Sequence, residues 1–281
     1  MYEAFFGLKE KPFNMTPDSR YFYPSAKHTD ALNHMVYAIQ ERRGFVVITG
    51  EIGSGKTTLS RVLFQKLDPR TKTAIIRNTQ LTAKDLVVLT LDELEIPFHP
   101  TSTKASLINR LNEFLIDQMR ENNNVVLLVD EAQNLKPNVL EEVRMLSNLE
   151  TETEKLIQII LMGQPELKSK LWLRELTQLR QRVTLYYHLE PLDEGETAAY
   201  VSHRLHIAGA NGAPIFSSRV FSKIFHHTHG VPRLINSLCD GALLTGYVSE
   251  AKTITPDIID EVASELPALL DEPLAAHQVA S

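Results

Sequence analysis

The stretch GEIGSGKT combines closely spaced glycines with a lysine and a threonine hydroxyl, directly after an apolar run. This spacing fits G-x-x-x-x-G-K-[ST], a loop whose backbone N–H groups converge on a polyphosphate. Gly50, Gly53 and Gly55 are expected because glycine takes the required backbone angles without steric cost. Lys56 supplies a point charge for the β- and γ-phosphates, and the Thr57 hydroxyl is a hard oxygen ligand for Mg²⁺.

The context of this motif favours a phosphate loop over a chance match in a turn. A buried strand precedes it and a helix follows it, and the helix adds the positive end of its dipole. We therefore predict ATP with Mg²⁺ as the cofactors. The residues predicted to surround the nucleotide are Gly50, Glu51, Ile52, Gly53, Ser54, Gly55, Lys56, Thr57 and Thr58.

Two adjacent acids end another apolar run, VVLLVDEAQ. Asp130 and Glu131 would cost several kcal/mol if buried there without partners, so a functional role explains them better. Asp130 is predicted to hold Mg²⁺, directly or through water, and Glu131 to orient and polarise the attacking water. The alternative is that Glu131 merely caps the next helix.

One amide and several arginines complete the predicted catalytic set. Gln164 follows a strand in IILMGQPEL, where a neutral amide can bind both the γ-phosphate and the lytic water; a plain loop glutamine is the alternative. Arg180 and Arg182 precede the last strand, and Arg233 begins a later helix. One cation could close a helical domain over the nucleotide and another could reach a neighbouring subunit, although each alone could be an ordinary surface residue.

The segments that must position these residues alternate between strand and helix. Short apolar runs predict strands in 45–49, 72–78, 124–135, 155–167 and 182–192. Amphipathic stretches between them predict helices in 56–67, 82–94, 104–122 and 136–150. Alternation of this kind predicts an α/β fold of the P-loop NTPase class, a three-layer parallel sheet core that binds ligands at the carboxyl ends of its strands.

The pattern changes after Pro191, where strands end and helical segments follow with capping signals. This change predicts a small C-terminal helical lid. The expected organisation is an N-terminal arm and helix in 1–45, an ATPase core in 46–190, the lid in 191–265 and a flexible tail in 266–281. We expect the proline- and aromatic-rich start of the arm to be extended and packed.

Composition limits the other classes of protein. The net charge of −6 and the pI of about 5.9 argue against a protein that depends on phosphate-backbone binding. The single cysteine, Cys239, excludes an internal disulfide and suits a reducing compartment. The N-terminus lacks a signal-peptide pattern and no stretch is long and apolar enough to span a membrane. The predicted location is the cytoplasm, or at most the periphery of a membrane.

The motifs together resemble those of a known family. The phosphate loop, LLVDEAQNL, GQPEL, LRQRV and GVPRLIN are similar to segments of AAA+ ATPases of the ExeA/GspA type, general secretion pathway protein A and its relatives, which include the MshM pilus-biogenesis ATPases. The opening MYEAFFGLKEKPFNMTPDSRYFYPSAKH and the segment NLETETEKLIQIILMGQPEL also resemble theirs. The likeness extends from Met1 to about Leu266.

The resemblance implies roles that spacing alone does not. It implies an AAA+ oligomer, for which a ring is one possible form, that works with inner-membrane proteins of type II secretion or pilus assembly. Gln164 matches the sensor-1 position, Arg233 the sensor-2 position, and Arg182 an arginine finger, with Arg180 as the second choice. Longer members continue through a transmembrane helix to a peptidoglycan-binding domain, whereas this chain ends at Ser281, so peptidoglycan binding is not carried over.

Two other functions remain open from the sequence. Related AAA+ proteins of the TnsC/TniB kind regulate DNA transposition, and origin-recognition ATPases load onto DNA; their core motifs overlap with these. DNA is a less favoured partner because of the acidic charge balance. A nucleotide-dependent scaffold that hydrolyses very slowly is the third interpretation.

Overall fold

A computed structural model describes residues 1–152 and 154–266 of the chain. The predicted flexible tail, 266–281, lies outside the described residues apart from Leu266. Contacts between backbone positions divide the chain into two compact units. The sheet unit comprises Ala26–Glu51 and Leu59–Leu189, and the helical unit comprises Met1–Ser25, Ile52–Thr58 and, among the described residues, 190–266.

Five apolar segments form one parallel sheet in the sheet unit. The strands are β1 (Phe45–Gly50), β2 (Lys72–Ile76), β3 (Val125–Val129), β4 (Gln158–Gly163) and β5 (Leu185–Leu189). Their order across the sheet is β2-β3-β4-β1-β5, and every neighbouring pair is parallel. Residues of β1, β3 and β4 are buried throughout, whereas β2 and β5 alternate in burial as edge strands do. The predicted parallel α/β fold is confirmed.

Two α-helices precede the first strand, and at least one α-helix follows each strand along the chain. The helices of the described residues are α1 (Tyr2–Phe6), α2 (Ala26–Gln40), α3 (Lys56–Lys66), α4 (Ala83–Glu93), α5 (Lys104–Arg120), α6 (Pro137–Leu146), α7 (Glu166–Leu171), α8 (Thr177–Arg182), α9 (Glu194–Ile207), α10 (Val220–Thr228), α11 (Pro232–Val248) and α12 (Pro256–Glu265). In the sheet unit α2 packs against β1 and β5, α4 against β2, and α6 against α8. Apolar side chains of these helices and strands form one continuous core.

The helical unit has its own core, built from α9–α12 and the first residues of the chain. The predicted capping box at the start of α9 is present: the Asp193 carboxylate accepts from Glu196 N–H at 2.7 Å, and Glu196 accepts from Asp193 N–H at 3.1 Å. Phe13 is only 1% exposed within this core. The chain's first residues are packed, as expected, but they contain α1 and a short 3₁₀ turn, Ser19–Tyr21, rather than an extended arm throughout.

Four of the five strands, β2 to β5, are shorter than predicted because the predicted segments included flanking residues outside the strand, whereas β1 extends one residue beyond its predicted end, to Gly50. The clearest case is the segment 124–135, of which only Val125–Val129 is a strand. After Val129 the chain forms a 3₁₀ turn, Ala132–Asn134, and α6 begins only at Pro137. The carboxylates predicted to be catalytic therefore lie in a tight turn beyond the strand end.

Candidate active site

The candidate site lies at the edge of the sheet formed by the carboxyl ends of its parallel strands. Because β3, β4 and β1 are neighbours and parallel, their carboxyl ends meet at the same edge. Asp130 and Glu131 follow β3, Gln164 follows β4, and Gly50 is the last residue of β1. Open α/β sheets bind ligands at this edge, so the topology brings the predicted acidic pair, the predicted sensor amide and the start of the predicted phosphate loop together.

Asp130 is buried beyond the end of β3. Asp130 is 7% exposed. Its backbone N–H donates to the Ile76 carbonyl at 2.9 Å, which continues the pairing of β3 with β2. Its Oδ1 accepts from the backbone N–H of Glu131 at 3.0 Å. Asp130 thus lies directly beyond the end of a central strand, where the sequence places the predicted Mg²⁺ ligand.

Glu131 has an unusual backbone conformation. Its φ of 52° and ψ of 36° lie in the left-handed region, which costs a non-glycine residue roughly 1–2 kcal/mol. This conformation turns the chain sharply from β3 into the 3₁₀ turn Ala132–Asn134. The side chain makes no capping hydrogen bond to that turn. The alternative explanation of Glu131 as a helix cap is therefore not supported.

Two amides hold the Glu131 carboxylate instead. Gln133 Nε2 donates to Glu131 Oε2 at 2.6 Å, and Gln164 Nε2 donates to the same oxygen at 3.3 Å. The backbone N–H of Gln164 donates to Gln133 Oε1 at 3.0 Å. Within residues 1–152 and 154–266, Glu131 Oε1 accepts no hydrogen bond. One carboxylate oxygen is thus fixed in place while the other remains able to accept a proton or a water.

Gln133 is the residue of this site that sequence reasoning missed. It is 9% exposed and lies between the residues following β3 and β4. The available signal was an amide two residues after Glu131, in LVDEAQ. Gly163 makes room for it, since a Cβ at that position would lie 2.7 Å from Gln133 Oε1.

The predicted phosphate loop continues from Gly50 into residues that group with the helical unit. Gly53 and Gly55 have φ values of +80° and +99°, as expected for glycines that turn backbone amides inward. Gly50 differs from the expectation: it lies in β1 and pairs with Leu189, so its backbone is extended. Lys56 begins α3 and is 6% exposed, so its ammonium group is largely withdrawn from bulk water.

Arg233 lies against this loop within the helical unit. Its backbone N–H donates to the Gly53 carbonyl at 3.2 Å, and it is the second residue of α11. A Cβ built on Gly53 would lie 2.4 Å from Arg233 Cβ. The predicted sensor-2 arginine and the predicted phosphate loop are therefore in direct contact.

The two candidate arginine fingers lie on α8 in the sheet unit. The Arg180 guanidinium stacks over the Trp172 ring, 4.4 Å from its centroid. An Arg182 nitrogen lies 3.8 Å from Glu150 Oε2, and Lys155 pairs with the same carboxylate. Burial, aided by the charge of Arg182, lowers the pKa of Lys155. Neither arginine contacts Glu131, and their assignment as fingers remains a prediction.

The parallel sheet, the glycine loop after β1 and the acidic pair after β3 define a P-loop protein of the AAA+ class. A family model described as an AAA domain matches residues 39–171. General secretion pathway protein A of Aeromonas hydrophila is 42% identical over 272 residues, which cover 97% of this chain and 50% of that protein. These likenesses support an AAA+ protein of the ExeA/GspA type, as the motifs predicted, and the chain spans about half the length of that relative.

Several solved structures have a similar fold. The ORC2 protein of Aeropyrum pernix has a TM-score of 0.70 at 14% identity, covering 92% of this chain and 72% of that one. Cdc6p of Pyrobaculum aerophilum has a TM-score of 0.66 at 16% identity, covering 91% and 74%. RuvB of Thermotoga maritima has a TM-score of 0.59 at 16% identity, covering 86% and 69%. At these identities the likeness shows the fold alone.

None of the helices in the part of the chain that the structure describes combines the length and apolar character that crossing a bilayer requires.

Proposed function

We propose that the chain binds ATP with Mg²⁺ and hydrolyses the phosphoanhydride bond between its β- and γ-phosphates, with water as the nucleophile and ADP and phosphate as the products. The observation that carries this proposal is the Glu131 carboxylate, with one oxygen held by two amides and the other open, at the sheet edge where the phosphate loop begins. A carboxylate in this state can orient a water and polarise it for attack. The ORC2 structure with a similar fold is itself a complex with ADPNP and ADP.

The remaining residues have separate tasks in this proposal. Backbone amides of the loop and Lys56 bind the phosphates, while Thr57 and Asp130 are the residues that would hold Mg²⁺. When bound, the ion neutralises charge on the β- and γ-phosphates. Gln164 binds the γ-phosphate through its side chain, and Arg233 stabilises the developing charge.

Assembly into an oligomer forms part of the proposal. Arg182, 35% exposed at the end of α8, is the candidate to reach the nucleotide of a neighbouring copy. An arginine supplied in trans is worth about 10³ to 10⁵ in rate, or roughly 4 to 7 kcal/mol of barrier. Turnover per chain should therefore rise with protein concentration.

The cellular role we propose is support of envelope machinery, in secretion or in pilus assembly, from the cytoplasm or the periphery of the inner membrane. The name and the 42% identity of the Aeromonas hydrophila relative support the secretion role. The pilus role rests on the motif resemblance. Inner-membrane assembly proteins are the proposed partners, along with further copies of this chain.

The test is phosphate release with ATP and Mg²⁺ over a hundredfold range of protein concentration, for the natural chain and for Glu131→Gln. The proposal expects turnover that rises with concentration and is lost in Glu131→Gln. Concentration-independent turnover would contradict the assembly step, and equal turnover in both proteins would remove Glu131 from catalysis. DNA added at two salt concentrations tests the transposition-regulator alternative, because stimulation that falls steeply with salt indicates DNA binding.

A further inference from the structure

We propose that Gln133 is a positioning residue for hydrolysis: its side-chain amide orients the Glu131 carboxylate and ties it to the backbone that follows β4. This inference rests on the proposed ATP hydrolysis and deepens it. It assigns the orientation of the water-polarising group to a residue outside the predicted catalytic set. It also separates that task from phosphate sensing by Gln164.

The hydrogen bonds determine how the Gln133 amide points. Nε2 donates to Glu131 Oε2 at 2.6 Å, and Oε1 accepts from Gln164 N–H at 3.0 Å. A flipped amide would place its oxygen against the carboxylate and its NH₂ against an N–H group, so both contacts would become repulsive. A single orientation therefore satisfies both ends, and the planar amide holds the two neighbours in a fixed relation.

Gln133 itself is held from several sides. Lys170, on α7, donates to the backbone carbonyl of Gln133 and to that of Leu135, the latter at 2.9 Å. The absence of a side chain at Gly163 leaves the space that Oε1 occupies, since a Cβ there would lie 2.7 Å away. The turn that carries Glu131 is thus fixed by the segment from β4 to α7.

The two amides that donate to Glu131 Oε2 differ in the length of their hydrogen bonds, and this difference suggests separate roles. The Gln133 bond is 2.6 Å long and the Gln164 bond is 3.3 Å long. The longer and weaker contact is the one that can be given up when Gln164 turns to a γ-phosphate. Gln133 has no predicted contact with the nucleotide, so it can retain Glu131 throughout the reaction.

Two variants test this role. Gln133→Met keeps the size of the side chain and removes both hydrogen bonds. Gln133→Glu keeps an oxygen that can accept from Gln164 N–H, but it cannot donate to Glu131 and it adds a like charge. Gln118→Met is the matched control, because Gln118 is 8% exposed in the sheet unit and its Oε1 accepts a hydrogen bond from Asn123 Nδ2, away from this site.

The expected result is a split between binding and turnover. Misplacing a catalytic group by about 1 Å costs up to about 10²-fold in rate, so kcat should fall about 10- to 100-fold in both Gln133 variants. The dissociation constant for ATP should stay within about twofold of the natural value, since Gln133 has no predicted contact with the nucleotide. Gln118→Met should match the natural chain in both. Circular dichroism and ATP binding establish that each variant is folded.

A double-mutant comparison distinguishes positioning from a general structural role. If Gln133 acts through Glu131, adding Gln133→Met to Glu131→Gln should change the residual single-turnover rate by less than about twofold. An equal loss in both backgrounds would overturn the proposal, as would natural kcat in both Gln133 variants when Glu131→Gln is inactive. Absence of hydrolysis by the natural chain, or full activity of Glu131→Gln, would overturn the proposed function and this role with it.

Discussion

The backbone N–H of Arg233 donates a hydrogen bond to the carbonyl oxygen of Gly53, with nitrogen and oxygen 3.2 Å apart. This bond joins the first turn of α11 to the predicted phosphate loop. The contact is so close that a Cβ on Gly53 would lie 2.4 Å from Arg233 Cβ. Two features of the structure therefore require glycine at position 53: its φ of +80° and the close approach of α11.

Gly53→Ala should therefore disturb both the loop and its contact with α11. A left-handed backbone costs an alanine roughly 1–2 kcal/mol, and relief of the clash adds to this, so we expect a loss of about 2–4 kcal/mol of unfolding free energy. ATP affinity should also fall because the loop amides shift. Denaturant unfolding and nucleotide titration measure the two effects.

Gly212→Ala is the control for this substitution. Gly212 belongs to the helical unit, and a Cβ there would meet nothing within 4 Å. Its effect should stay within about 0.5 kcal/mol. Equal stability and equal ATP affinity of the two alanine variants would contradict the importance of the Gly53–Arg233 contact.

Lys56→Ala should weaken ATP binding strongly. Lys56 is buried at the start of α3, where its ammonium group is predicted to meet the β- and γ-phosphates. Loss of a charge-assisted contact in such a site costs about 2–4 kcal/mol, or roughly 30- to 1000-fold in affinity. Lys66→Ala, exposed in the last turn of the same helix, should bind normally. Isothermal titration calorimetry measures the ATP affinity of both variants. An unchanged affinity of Lys56→Ala would contradict the assignment of the phosphate loop.

Arg182→Ala should bind ATP and hydrolyse it poorly. If the arginine acts between subunits, mixing this variant with Lys56→Ala should restore part of the turnover, because each supplies what the other lacks. No rescue at any mixing ratio would indicate a role within one chain.

Arg180→Ala is the matched comparison for Arg182→Ala. It removes the stacking on Trp172, worth about 0.5–1 kcal/mol, and should change the fluorescence of this single tryptophan. If Arg182 is the finger, turnover should remain near the natural value. Loss of turnover in Arg180→Ala alone would reverse the assignment.

Arg204→Lys should loosen the first residues of the chain. Arg204 is 6% exposed and donates to the Pro12 carbonyl at 2.5 Å and to the Tyr200 hydroxyl at 2.8 Å, and its guanidinium lies 4.7 Å from the Tyr21 ring centroid. A lysine cannot reproduce this planar set of contacts, so we expect a loss of about 2–3 kcal/mol and faster tryptic cleavage near the N-terminus. Arg219→Lys, at an exposed position, should have no effect. Unchanged protease resistance of Arg204→Lys would contradict this role.

The sheet and the edge that carries the site were predictable because the signals were local. Continuous apolar runs such as VVLLV are typical of parallel strands buried on both faces, and Asp130 follows directly from the end of one. The strand order was not predictable, since it depends on contacts distant in sequence. The grouping of the first residues with the C-terminal helices depends likewise on distant contacts, such as that between Pro12 and Arg204.

Gln133 shows why part of the site escaped prediction. Its role arises from two bonds, one local to Glu131 and one to Gln164, 31 positions away. A glutamine after an acidic pair has no preferred partner in sequence. Only the pairing of β3 with β4 brings its second partner within reach.

The most direct test of the account is the identity of the nucleotide held by Glu131→Gln after incubation with ATP and Mg²⁺ and rapid removal of free nucleotide. If Glu131 polarises the attacking water, this variant should retain ATP under conditions in which the natural chain contains ADP. Bound ADP in both proteins would contradict the role of Glu131, and no nucleotide in either would contradict the phosphate site itself.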